Sequence, residues 1–394
     1  MTKSRTHLPN IPDQAKNVFY TPPSNSPMWR QLLAYDPVKT FTLTTAEELP
    51  DLQQFLADQA EKLCCGYLSY DLGIQLKSIK SKHEIRSPLA VFHAYNEWYE
   101  NVDGQWFDQA GDKVPLTSGQ VPSSRLDLTL TPSLDRGSYL EAINKILDYI
   151  RAGDFYQINL TQRLAGATHL DPRLLFAELL RDHSAEHACY LEAGAQSIHS
   201  LSPELFLHHD QGVLTTEPIK GTRPRGTNHL EDQTLQKELL SSDKEQAELF
   251  MITDLLRNDL GKICEVGSVQ LKAVKALKKL ERVWHTASLI QGQRLQDLSP
   301  FDALLSMFPG GSITGCPKMR AMEVIDELEL DARGIYTGSM GYIHPQGDFS
   351  FNIAIRTLIQ EGPHLSLGTG GGITIDSDWQ SEWDELLVKA STFK

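Results

Sequence analysis

Strand-like segments recur along this chain more often than helices separate them. Residues 29–36, 40–44, 64–70, 90–99, 156–164, 188–193, 196–201, 204–208 and 213–217 either alternate apolar with polar positions or form short apolar runs. Helical spacing marks 46–63, 138–152, 172–180, 230–261, 300–306, 317–328 and 381–391. Strands in such excess over a strict βαβ alternation, several in hairpin-like pairs, predict a mixed, mainly antiparallel α+β fold rather than a doubly wound parallel sheet. The stretch 109–132 is rich in Gly, Pro, Ser and Thr and nearly aperiodic, which makes it the expected linker. It divides an N-terminal segment, 1–125, from a region 126–394.

Charge narrows the partners. Lys and Arg number 37 against 51 Asp and Glu, a net charge of −14, so the surface field repels nucleic acid and acidic membranes. An anionic substrate therefore needs a local basic pocket. No apolar run approaches the roughly 18 to 20 residues of a membrane span, and the start is polar, so a cytoplasmic protein is expected. The five cysteines, Cys64, Cys65, Cys189, Cys264 and Cys316, lack zinc-ligand spacing and suit reduced, structural thiols.

Six segments carry residues suited to chemistry. Pro218 to Gly226 reads Pro-Ile-Lys-Gly-Thr-Arg-Pro-Arg-Gly, a composition expected of a shaped loop rather than a helix or a central strand. Lys220 there either points into water or, with Arg223 and Arg225 close by, becomes a nucleophilic amine. Glu245 with Glu248, and Glu382 with Glu385, are spaced i, i+3 on expected helices. Each pair is either a solvated face or half of a hard oxygen site suited to Mg²⁺. The run Gly368 to Thr374 is glycine-rich without a P-loop pattern; it reads as a turn or as a backbone cradle for a small carboxylate. Pro309 to Lys318 ends at the expected start of a helix, a second anion-favouring position. Arg356, on strand-like 353–358, is placed to clamp a carboxylate.

Taken together, Pro218–Gly226, Asp254-Leu-Leu-Arg-Asn-Asp-Leu-Gly261, Ser312-Ile-Thr-Gly-Cys-Pro-Lys-Met-Arg-Ala-Met322 and Gly370-Gly-Gly-Ile-Thr-Ile-Asp-Ser377 resemble the chorismate-utilising enzymes. That group includes anthranilate, aminodeoxychorismate, isochorismate and salicylate synthases. The resemblance runs from about Thr131 to the C-terminus, and Pro27 to Leu33 adds a weaker match. It implies a two-layer antiparallel β sandwich flanked by helices, to which the N-terminal segment contributes, with chorismate and Mg²⁺ in a cleft. It implies Glu248 and Glu385 as metal ligands with Glu245 and Glu382 supporting them. Arg356, Tyr342, Thr314, Gly315, His285 and the backbone of Gly370, Gly371 and Gly372 fall at substrate-binding positions, and Glu204 at the general-acid position.

Two positions separate the reactions of these enzymes. Water-adding members carry a lysine base where this chain has Gln157, and glutamine has no titratable acceptor. Anthranilate synthases usually read Pro-Ile-Ala-Gly-Thr where this chain has Lys220. The resemblance therefore points to amination of chorismate at C4, the aminodeoxychorismate synthase reaction on the way to para-aminobenzoate and folate. Lys220 would be the nucleophile and a separate glutamine amidotransferase would supply ammonia. The alternatives are anthranilate synthesis and a non-catalytic chorismate-binding or amidotransferase-regulating subunit.

Overall fold

The computed structural model describes residues 9–85, 87–116, 128–182, 185–280, 283–390 and 393. Two large sheets, of twelve and ten strands, are built entirely from the antiparallel pairings expected. Strand alternation explains why they stack. In Leu63–Leu68 and Ala90–Tyr95, Cys65, Tyr67, Val91 and Tyr95 join a cluster with Phe19, Leu32, Leu191 and Ile198 of the other sheet. Leu68, Ala90 and Phe92 turn the opposite way, into a core shared with the helices. The outer face of the twelve-stranded sheet carries a third cluster around Tyr20, Leu33, Phe176, Tyr190 and Leu358. Each sheet therefore buries both faces, and period-2 segments read as continuous apolar runs.

The helices sit where their apolar stripes predict. Arg136–Ala152 is N-capped by Asp135, whose carboxylate accepts from Ser138 N–H, and it ends at Gly153 with φ +87°, the left-handed stop that glycine permits. Residues 230–261 form two helices instead of one, His229–Ser241 and Asp243–Gly261. Ser242 is extended, and its hydroxyl accepts from Glu245 N–H, capping the second helix at the break. Residues 46–63 shorten to a 3₁₀ turn and a helix Leu49–Asp58, and 90–99 divides into two strands. Of the expected linker, 117–127 lies outside the described residues; its flanks form short strands at Lys113–Val114 and Thr131–Pro132.

Two expected loops are strands. Ile219–Pro224, here the lysine strand, pairs with Val283–Gln293 at one end of the ten-stranded sheet. Pro218 and Pro224 are tolerated because this strand keeps one edge free. His364–Thr374, the glycine strand, pairs over its whole length with Gln157–Ala167. Arg356 lies on no strand: it occupies the bend between Phe349–Ile353 of one sheet and Thr357–Glu361 of the other, with φ +47°.

Candidate active site

Lys220 owes its direction to a one-residue bulge. Lys220 pairs with Thr286 and Thr222 with the next residue back, His285, so Gly221 is the extra residue. It takes φ +63°, and a Cβ there would lie 2.7 Å from Leu239 Cδ1 and 3.0 Å from Glu245 Oε2. Glycine is required on both counts, and bulges re-aim the side chains beside them. Gly221→Ala is expected to cost about 1–3 kcal/mol and to misdirect Lys220; a thermal midpoint and activity equal to wild type would contradict this.

The neighbouring arginines serve the strand and not the lysine. Arg223 Nη1 lies 2.7 Å from Glu245 Oε1. Arg225 donates to both oxygens of Asp232 at 2.8 Å, and its guanidinium lies 4.6 Å from the centroid of the Trp284 ring. Their charge is spent on these pairs, which corrects the expectation that they act on Lys220. Among the described residues no ion pair or hydrogen bond engages the Lys220 ammonium. The carboxylates that feel its charge are Glu204, Glu248 and Glu385.

These three differ in environment. Glu204 is 5% exposed; burial pushes its pKa up, opposed by Lys220 and by a hydrogen bond with Ser312. Glu248, on Asp243–Gly261, is raised by burial and by Glu382 and Glu385 against the pull of Lys220 and Lys244. Glu385 lies on the helix Trp379–Ala390. Burial works against its ionisation, but Lys389, Lys244 and Lys220 together carry its pKa below the ordinary range. Glu382 is buried, bonded to Ser377 Oγ at 2.8 Å and 3.5 Å from Lys244 Nζ. The two helices thus bring Glu248, Glu382 and Glu385 to one acidic face. Glu245 is tied to the lysine strand through Oε1 and Arg223, and its Oε2 is buried without a partner.

This face has the donor chemistry for a divalent cation, but its three carboxylates do not bring their oxygens within 4.8 Å of one another; among the described residues only Glu186, His187 and Glu217 do so, and Lys278 bridges the two glutamates there. Glu248 has neither hydrogen bond nor ion pair among the described residues, and a half-buried carboxylate beside two others calls for a cation. Carboxylate oxygens are the hard donors that Mg²⁺ takes.

The opposite wall is basic and polar. The Arg356 guanidinium has no carboxylate partner among the described residues, and burial lowers its pKa. Its charge and burial act on His285, whose pKa falls to about 4, burial being the larger cause. His285 is therefore neutral at pH 7. Its Nδ1 lies 2.9 Å from the Gly221 carbonyl, which fixes the proton there, and Nε2 is buried without a partner. An unprotonated Nε2 is an acceptor for a hydroxyl.

On the glycine strand, Gly370 and Gly372 stand opposite Thr161 and Asn159. The N–H groups of those two residues bond Glu329 and the Thr314 carbonyl instead, so these are non-hydrogen-bonded pairs and the glycines turn their own N–H groups to the free edge. The cradle is thus a sheet edge beyond the end of Thr357–Glu361 rather than a turn. Side chains are excluded there: a Cβ on Gly372 would lie 2.3 Å from Gln157 Nε2, and one on Gly371 3.2 Å from Glu382 Oε2.

Thr314 and Tyr342 depart from expectation. The Thr314 hydroxyl donates back to the carbonyls of Gly310 and Gly311, so its proton is committed to its own turn. Gly315 closes on the Gln157 carbonyl, 2.3 Å from where a Cβ would stand. Tyr342 is not brought to the site. Strand alternation turns it into the inter-sheet core, where its ring meets Trp29 and its hydroxyl accepts from Arg30 N–H at 2.7 Å.

Two lysines were missed. Lys389 Nζ bridges Glu385 at 2.8 Å and the Gly370 carbonyl at 2.9 Å, and Lys244 stands by Glu382. The i, i+4 spacing of Glu385 and Lys389 was the readable signal. A cavity of ≈ 940 Å³ lined by Arg163, Arg333 and Tyr336 includes none of the predicted site residues.

The sequence model of one protein family, described as chorismate binding enzyme, matches residues 18–394. Aminodeoxychorismate synthase component 1 of Bacillus subtilis is 33% identical over 378 residues, 89% of this chain and 78% of that protein. A probable chloroplastic aminodeoxychorismate synthase of Oryza sativa is 41% identical over 259 residues, 65% of this chain; the match spans 29% of the rice protein. Among solved structures, anthranilate synthase component I from Streptococcus pneumoniae superposes with a TM-score of 0.79 at 26% identity, covering 95% of this chain and 94% of that one.

Proposed function

This chain belongs to the chorismate-binding enzyme family, and we propose that within it the chain is an aminodeoxychorismate synthase component I, replacing the C4 hydroxyl of chorismate by an amine. The observation that carries this reading is an unpaired lysine whose charge acts on a buried glutamate with a pKa raised by burial: Lys220 and Glu204. Replacing a hydroxyl with retained configuration is slow in one displacement, and a nucleophile divides it into two allylic steps.

In the first step the Lys220 ammonium gives up its proton to solvent and the resulting amine forms a bond to C2. The ring double bond shifts and the C4–O bond breaks, with Glu204 giving its proton so that water leaves. In the second step ammonia bonds to C4, the double bond shifts back and Lys220 departs as free amine; Glu204 regains a proton before the next turnover. His285 Nε2 accepts a substrate hydroxyl, and Arg356 with the free N–H groups of Gly370 and Gly372 holds a carboxylate. Glu248, Glu385 and the supporting Glu382 would hold Mg²⁺, which supplies charge neutralisation for a second carboxylate. Gln157, whose side-chain amide lies against Gly372, offers no base for attack by water.

Mass spectrometry of the product from chorismate, Mg²⁺ and ammonium tests the proposal. The expected product is non-aromatic 4-amino-4-deoxychorismate; fluorescent anthranilate with released pyruvate would make the chain an anthranilate synthase component, and intact chorismate a non-catalytic subunit.

A further inference from the structure

A tight gathering of metal donors lies apart from the acidic face of the cleft. Glu186, His187 and Glu217 each offer a donor atom, and these atoms all lie within 4.8 Å of one another. Three segments meet there. Glu186 and His187 lead into the strand Cys189–Ala193, Glu217 ends Val213–Glu217, and Lys278 comes from the end of Gln270–Lys279. The Lys278 ammonium sits between the carboxylates, 2.5 Å from Glu186 Oε2 and bonded to Glu217. Backbone bonds fix the imidazole in place: His187 N–H donates to the Ser202 carbonyl, the His187 carbonyl accepts from Asn352 Nδ2, and the Ala188 carbonyl accepts from Trp29 Nε1.

The ion pairs leave the ring unexplained. His187 is fully buried, and neither Nδ1 nor Nε2 has a hydrogen-bond partner among the described residues. A polar group buried in this way is costly and calls for a ligand. Burial also keeps the ring neutral, so one nitrogen carries a free lone pair beside two carboxylates. Charge points the same way. Two carboxylates against one ammonium leave the cluster with one uncompensated negative charge, which a divalent ion in the ammonium's place would cancel while giving the imidazole a partner. One nitrogen and two carboxylate oxygens suit zinc, which takes such mixed donors tetrahedrally and keeps a fourth position for water; magnesium holds to oxygen donors and octahedral geometry.

We infer that Glu186, His187 and Glu217 form a zinc site whose cation seat the Lys278 ammonium fills in the metal-free chain and yields to solvent when Zn²⁺ binds. The exchange has a route, because the Lys278 side chain is 16% exposed and those of Glu186 and Glu217 are 11% and 15% exposed. It needs no proton transfer: His187 is already neutral, and Lys278 leaves as the ammonium it is. The site is independent of the carboxylates of the cleft and of the reaction performed there.

Equilibrium dialysis against Zn²⁺, with Mg²⁺ in large excess to fill oxygen-only sites, tests the inference. Wild type is expected to hold a Zn²⁺ ion that His187→Phe and Glu217→Gln each weaken by at least about tenfold. Lys278→Met removes the competing ammonium and should tighten binding by about tenfold or more. Thermal melting shows which variants are folded; should His187→Phe fail to fold, Glu217→Gln, a same-shape change at a partly exposed side chain, decides alone. A wild type that takes up no Zn²⁺ would overturn the inference even if Lys278→Met bound it, since Lys278 would then hold the seat permanently. A folded His187→Phe or Glu217→Gln that binds Zn²⁺ as wild type does would place the ion elsewhere and overturn it equally.

Discussion

Replacing Lys220 by alanine is expected to remove C4 amination, lowering 4-amino-4-deoxychorismate formation by on the order of 10³-fold or more. The fold should survive, because no partner is orphaned: the Lys220 ammonium has no ion pair or hydrogen bond among the described residues, and such substitutions usually stay within about 0.5 kcal/mol. Charge and nucleophilicity are separated by Lys220→Arg. A guanidinium keeps the positive field felt by Glu204, Glu248 and Glu385 but is a poor nucleophile. If the field alone mattered, arginine would retain most of the activity; as nucleophile, Lys220 leaves both variants inactive. With no lysine to occupy C2, ammonia can attack that carbon, so the alanine variant is the place to look for anthranilate. Unchanged 4-amino-4-deoxychorismate from Lys220→Ala, by chromatography and mass spectrometry, would remove the lysine from the mechanism.

What the sequence disclosed and what it hid have physical reasons. The antiparallel α+β class was legible because buried-sheet strands keep a two-residue period even where both faces are apolar, as in Leu63–Leu68. The pairs Glu245/Glu248 and Glu382/Glu385 were legible as helix faces, but helix spacing says nothing of what lies opposite. Arg223 engages one oxygen of Glu245 through a contact 22 residues away. Pro and Gly suggested loops at 218–226 and 368–374, where the sheet instead uses proline on a free edge and glycine for close approach. Gly221 is a bulge, and Gly372 makes room for Gln157. Only pairing with a distant strand distinguishes these from turns. Tyr342 shows the converse limit: nearness to a motif in the chain does not say which sheet face a side chain takes.

Glu204→Gln is the second change expected to have a large effect, and it separates catalysis from stability. Glutamine keeps the shape and can still bond Ser312, but it has no proton to give to the leaving hydroxyl; loss of a general acid costs about 10²–10⁴-fold in rate. The pH dependence follows from the raised pKa, whose main cause is burial. The wild-type enzyme works while Glu204 is protonated, so its rate on ammonia-independent steps falls as pH rises through that pKa, and the variant's residual rate lacks this limb. Stability moves in the opposite sense. A carboxyl whose folded pKa is raised binds its proton more tightly when folded, so from the ordinary carboxylate range upward through the folded pKa its ionisation progressively costs stability. Glutamine cannot ionise and escapes that cost. The variant should therefore melt at or above the wild-type temperature at pH 8, with the difference shrinking toward pH 4, where the wild-type glutamate is protonated too. A variant that loses stability at pH 8 but not at pH 4 would show that Glu204 holds the fold through its charge, and the acid role would then have to pass to another group in the cleft.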